Sequence, residues 1–189
     1  MNARIIQVRT DALAAEFIYT KKLNSIKIVS TLSSALTVLL PILFSAALLI
    51  YKGTSHEAFV NTISIILSAI LLVITIATFI LELERKKENY LIGRRLNIAV
   101  ANDALKLLDK NTGEQELTWF FEYIREMDAK DLENTGGVGS SLKKEAYRSA
   151  LERLYPGSNN TVCSVCKASP FTFKKGACQL CGNTPGKTV

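Results

Sequence analysis

The sequence predicts a mainly α-helical fold: a two-span transmembrane helical hairpin, flanking cytoplasmic helices, and a small C-terminal ribbon held by paired cysteines. Three observations lead there. Two long blocks, 28–51 and 58–81, contain no charged residue. Basic residues crowd the outer flank of each block. All 4 cysteines fall near the C-terminus in the pattern C-x-x-C, eleven residues, C-x-x-C. The expected organisation is an N-terminal helix (1–27), span 1 (28–51), span 2 (58–81), a helical region (82–157) and the ribbon (158–189).

The blocks come first because they dominate the chain. A helix rises about 1.5 Å per residue, and a bilayer core needs about 20 apolar residues, so each block is long enough to cross with some tilt. A buried soluble helix rarely stays uncharged over such a length. A cleaved signal peptide fits poorly, since the first apolar run is too long and a charged stretch precedes it. The link Lys52-Gly-Thr-Ser-His-Glu57 suffices only for a tight turn, so the spans pair antiparallel.

Orientation follows from the flanks. Arg4, Arg9, Lys21, Lys22 and Lys27 precede span 1; Arg85, Lys86, Lys87, Arg94 and Arg95 follow span 2; the turn has only Lys52. The positive-inside rule places both termini in the cytoplasm, which in a bacterium means the inner membrane. The net charge of +6 is also compatible with nucleic acid, but flanking placement explains it better.

Within the spans the small polar residues follow helical spacing. Ser30, Ser34, Thr37, Pro41 and Ser45 recur every three or four residues in the first; Asn61, Ser64, Ser68, Thr75 and Thr78 lie near one seam of the second. Such faces suit close helix packing and interhelical hydrogen bonds. The sharper alternative is that hairpins assemble as a homo-oligomer in the lipid bilayer and these faces line a wettable pore. Pro41 cannot donate to the Thr37 carbonyl, so a kink or hinge is expected there. Neither span carries Asp, Glu, Lys, Arg or His, which disfavours pumps and coupled transporters.

The cytoplasmic stretches read as helices. Met1 to Asn24 is modestly amphipathic. Glu82 to Lys110 places Leu91, Ile98 and Leu105 at seven-residue intervals, with Ile92, Leu96, Val100 and Leu107 broadening the face, before the break at Asn111-Thr-Gly113. A second helix starts near Thr112, whose spacing to Gln115 suits a capping box. It buries Leu117, Phe120, Phe121, Ile124 and Met127, with Trp119 and Tyr123 at an edge. Asn134 to Ser141 reads as a flexible linker. Its glycines lack the lysine and preceding strand of a phosphate-binding loop. A short helix, Leu142 to Leu154, ends at Pro156-Gly157.

The cysteines carry the strongest chemistry. Cys163 and Cys166, then Cys178 and Cys181, can each place two thiolates on one ion, and two such turns complete the tetrahedron of a structural Zn2+ site. Phe171-Thr-Phe173 between them suggests a short strand. Lys167, Lys174, Lys175 and Lys187 can offset the charge of four thiolates. A redox dithiol is weaker, because the cytoplasm disfavours stable disulfides and no thioredoxin-like context surrounds the pairs. No nucleophile–base pair stands out, and the one histidine, His56, lies in the turn; the chain does not read as an enzyme.

Together, the basic N-terminal helix, the hairpin, the helix beginning Glu82-Leu-Glu-Arg-Lys-Lys-Glu88, and the stretches Asp131-Leu-Glu-Asn134 and Ala146-Tyr-Arg-Ser-Ala-Leu-Glu-Arg-Leu-Tyr-Pro156 resemble the SLATT group of bacterial two-transmembrane proteins. The cysteine tail resembles a mobile-element-associated subgroup defined by its C-x-x-C spacing. The resemblance implies an effector of bacterial conflict and anti-phage systems, which oligomerises and perforates the inner membrane when a partner, often a nucleotide-signalling sensor, responds to infection. It supplies no catalytic residues. The alternative is a membrane-anchored module whose zinc ribbon recruits protein or nucleic acid.

Overall fold

The computed structural model describes residues 2–80, 82–109, 114–156 and 161–185, without the side chains of Thr78, Asp109 and Glu114. Five helices follow in order: α1 (Asn2–Tyr51), α2 (Glu57–Ile80), α3 (Leu83–Asp109), α4 (Glu114–Thr135) and α5 (Ser140–Leu154). Among the described residues there is no strand, only one isolated antiparallel bridge between Lys175 and Asn183. The expectation of a short strand at Phe171-Thr-Phe173 is therefore corrected. That segment is a turn and bend held by side-chain hydrogen bonds. The expected break at Asn111-Thr-Gly113, the capping residue Thr112, Gly157 and Lys187 lie outside the described residues.

The chain forms two compact units, Met1–Lys22 with Asn89–Val189, and Leu23–Glu88. In the first, α1, α3, α4 and α5 bury one core. Ile5, Ala12 and Leu13 meet Val100, Ala104 and Leu107, with Leu117, Phe120, Ile124 and Met127 from α4 and Ala150 and Leu154 from α5. The α4 face is the expected one, and Trp119 stands 74% exposed beside it. The α3 face is the expected one only in part. Gly93, Asn97, Val100, Ala101, Ala104 and Leu107 are buried, whereas Leu105 and Ile92 are exposed. Small residues explain the difference: they let neighbouring helices approach, and close packing decides which stripe is covered. A Cβ on Gly93 would lie 2.4 Å from the ring of Tyr19.

Several buried polar groups of this unit are paired. Tyr19, fully buried, donates its hydroxyl to Asp131 (2.7 Å), and Asn97 donates to the other carboxylate oxygen (2.8 Å). Glu16, with its side chain 8% exposed, accepts from Arg153 of α5 and from Arg94 of α3 (3.3 Å). The linker is shorter than the sequence suggests, because α4 continues to Thr135 and α5 starts at Ser140. The intervening Val138 is buried against Ile18 and Ala146.

In the second unit, α1 and α2 are joined by residues 52–56. Ser30, Ser33 and Ser34 share a groove with Thr75, Phe79 and Ile80, so the two helices run antiparallel. Both helices are long and apolar enough to cross a membrane, and the most apolar stretch of α1 has none of its residues buried. The α-helix runs unbroken through Pro41. Glu82 adopts a left-handed φ of 48° between α2 and α3, so α3 begins one residue later than its sequence pattern suggests.

Candidate metal centre

Each C-x-x-C folds as the same turn. The amide of Lys167 donates to the Cys163 carbonyl (3.0 Å), and that of Gly182 to the Cys178 carbonyl (2.9 Å). The first cysteine of each pair then donates its own amide five residues on, Cys163 to Ala168 (3.0 Å) and Cys178 to Asn183 (3.2 Å). Both turns pass through a left-handed residue after the second cysteine, Lys167 at φ 57° and Gly182 at φ 72°. The two sites are local repeats, and each brings its pair of thiols to one side.

The four sulfurs converge. Cys163 and Cys178 Sγ lie 4.0 Å apart, Cys166 and Cys181 Sγ 3.4 Å apart, and all four fall within 4.8 Å of one another. Metal–sulfur bonds of about 2.3 Å in a tetrahedron separate the sulfurs by about 3.8 Å. The set therefore fits one metal ion, and no disulfide joins any of the four. Backbone amides of Cys181 and Leu180 hold the Cys178 thiol down to about 6, whereas burial pushes Cys166 and Cys181 up.

Several supporting residues carry no signal in the cysteine spacing. Asn183 is buried. Its carbonyl oxygen accepts from Lys174 and Thr184, and its amide donates to the Ser169 and Thr172 carbonyls (3.1 Å each), so one side chain closes the loop between the pairs. Leu151 of α5 belongs to the same buried cluster as the four cysteines. Arg148 donates to the Cys181 carbonyl and stacks over Phe173, 3.8 Å from the ring centroid. The α5 helix thus forms the floor of the ribbon.

The small polar residues divide. Ser30 and Ser64 are buried, Ser30 donating to the Glu84 carboxylate. Ser34, Thr37, Ser45, Asn61, Ser68 and Thr75 are exposed. The structure gathers Ser30, Ser34 and Thr75 along one groove of about 670 Å3. The side chain of Thr78 lies outside the description.

No curated protein and no solved structure matches the chain. The model of one family, described as "Mobilome CxxCx(11)CxxC protein", matches residues 2–184. Its defining spacing is that of Cys163, Cys166, Cys178 and Cys181, the residues whose sulfurs converge here; the chain belongs to the mobilome CxxCx(11)CxxC family.

Proposed function

We propose that the protein is a membrane effector of a bacterial conflict or anti-phage system, which oligomerises and permeabilises the inner membrane when a partner triggers it. In this reading α1 and α2 form the transmembrane hairpin, both termini are cytoplasmic, and the four cysteines hold Zn2+ as a structural site. Four thiolates with no open ligand position are the donor set zinc takes in such sites. The partner would be a sensor or nucleotide-signalling protein acting on the cytoplasmic helices, and the chain itself would catalyse no reaction.

One observation carries the proposal. Between residues 28 and 80 the least exposed positions are Ser30, Ser33, Leu36, Leu40, Phe44 and Ala47 of α1 and Val60, Ser64, Leu67, Leu71 and Ile74 of α2. The hairpin's own seam is therefore largely apolar, and it leaves Ser34, Thr37, Asn61 and Ser68 uncovered. Thr37 and Ser45 donate to carbonyls four residues earlier (2.9 and 2.8 Å), and their oxygens keep acceptor capacity. Polar faces left open on apolar helices are satisfied by further helices or by water. The resemblance to the SLATT group supports the same reading.

The test is membrane potential in bacteria during controlled expression. Wild type is expected to depolarise the cells, and Ser34→Leu/Ser68→Leu at matched membrane levels is expected not to. Equal depolarisation by both would remove the role of the polar faces. A second reading is favoured by the packing of the ribbon on α5: the hairpin tethers a zinc ribbon that recruits protein or nucleic acid.

A further inference from the structure

The ribbon carries cations and exposed rings without an acidic residue, and Lys144 and Arg148 of α5 lie beside it. No Asp or Glu occurs after Glu152. Arg148 stacks on Phe173, and Lys144 Cδ and Arg148 Nη1 each lie 3.3 Å from where a Cβ on Gly182 would sit. Next along the chain, Asn183 bridges to Lys175, and Thr184 donates to the Lys174 carbonyl (2.7 Å). The backbone of Lys174 and Lys175 thus runs beside the residues that the Lys144 and Arg148 side chains reach, and none of the four forms an ion pair among the described residues. Phe173 remains 49% exposed and Phe171 44%.

We propose that this surface binds single-stranded nucleic acid, with bases on Phe173 and Phe171 and phosphates on Lys144, Arg148, Lys174 and Lys175. Cations tracking a backbone beside aromatic rings that stack bases are the working parts of sequence-tolerant single-strand binding. The four cations exceed the charge of about −2 that four thiolates leave on a divalent ion. Insertion into a bilayer fits less well. Burying Phe173 in acyl chains would carry the stacked Arg148 guanidinium with it, at a steep desolvation cost, whereas the same stack strengthens a platform for bases. The inference deepens the second reading above and is independent of permeabilisation.

The experiment uses the full chain in neutral detergent micelles, metal content measured, with a fluorescent 20-nucleotide oligodeoxythymidylate followed by anisotropy. Binding is expected to fall steeply with salt and to weaken about ten-fold or more in Lys174→Glu/Lys175→Glu and in Phe173→Ala. Phe171→Ala, outside the Arg148 stack, replaces Phe173→Ala should the latter lose metal. Metal-replete wild type that fails to bind, or metal-replete variants that bind like wild type, overturns the inference alone. Wild type purified without metal defeats the ribbon reading and the inference with it. Protection of residues 171–175 from hydrogen exchange by anionic nanodiscs, and not by the oligonucleotide, assigns the face to lipid headgroups and overturns it too.

Discussion

The residue after the second cysteine of each pair does the same backbone task with different chemistry. A left-handed conformation costs an L-residue about 1–2 kcal/mol, whereas glycine adopts it freely at an entropy cost of about 0.5–1 kcal/mol. Lys167 bears the first cost at φ 57°, and Gly182 avoids it at φ 72°. Lys167→Gly is therefore expected to hold metal as tightly as wild type or a few-fold more tightly. Gly182→Ala should hold it several-fold less tightly, since its new Cβ also meets Lys144 and Arg148 at 3.3 Å. Chelator titration of bound metal measures both, and equal losses in the two variants would show that turn conformation does not govern retention. At this scale the ligands are legible, because two thiolates on one turn require the C-x-x-C spacing. Asn183 is not, since three of its four hydrogen bonds reach backbone groups 9 to 14 residues away that only the folded loop assembles.

Among the elements, α1, α3 and α5 meet at Glu16, and the charge there sets how the helical unit answers to pH. Its pairing with Arg153 and Arg94 outweighs burial and holds the carboxyl below its usual range. This stabilisation is complete above the ordinary glutamate pKa and is lost as pH falls through the lower folded value. Asp11 on the same helix behaves in the opposite sense. Though still partly solvent-exposed, it is pushed up to about 6 by burial and by Asp128 of α4. The folded state then binds the extra proton between about 4 and 6, so its contribution improves as pH falls from 7 toward 4. Asp11→Asn should flatten the gain between pH 7 and 5, and Glu16→Gln should lower stability at pH 7 by roughly 2 kcal/mol, less than a fully buried pair because both arginines reach solvent. Thermal unfolding followed against pH checks both; a Glu16→Gln curve superimposable on wild type would refute the pairing as a stabilising contact. None of this coupling is readable from the chain. The helices themselves were legible from apolar spacing, and the α4 face was right in detail. On α3 the pattern finds Leu96, Val100 and Leu107 but not Gly93, Ala101 and Ala104, because a pattern scored on bulk passes over residues buried for their size.

For the whole molecule, the sequence and structure agree on two apolar helices joined by a short turn, and on the cysteine cluster at the other end of the chain. The sequence treated the N-terminal helix and span 1 as separate parts, whereas α1 is one helix from Asn2 to Tyr51, because no Gly or Pro interrupts the residues between them. The polar residues on α1 and α2 were legible as faces, but which side of the hairpin they occupy depends on the apolar seam that pairs the helices. That seam makes a prediction at this scale. Replacing residues 28–81 by an unrelated two-span hairpin of leucine and alanine, with the flanking basic residues kept, preserves a tether and removes every outward Ser, Thr and Asn. An effector whose lesion is built from those faces should lose depolarisation entirely while retaining metal and membrane insertion. A tethered ribbon should keep its function, read as protection of cells carrying the native neighbouring genes under phage challenge. Full protection by the replaced hairpin would sink the effector reading. Loss of both depolarisation and protection, with the metal still bound, would leave the hairpin's own composition as the active part of the protein.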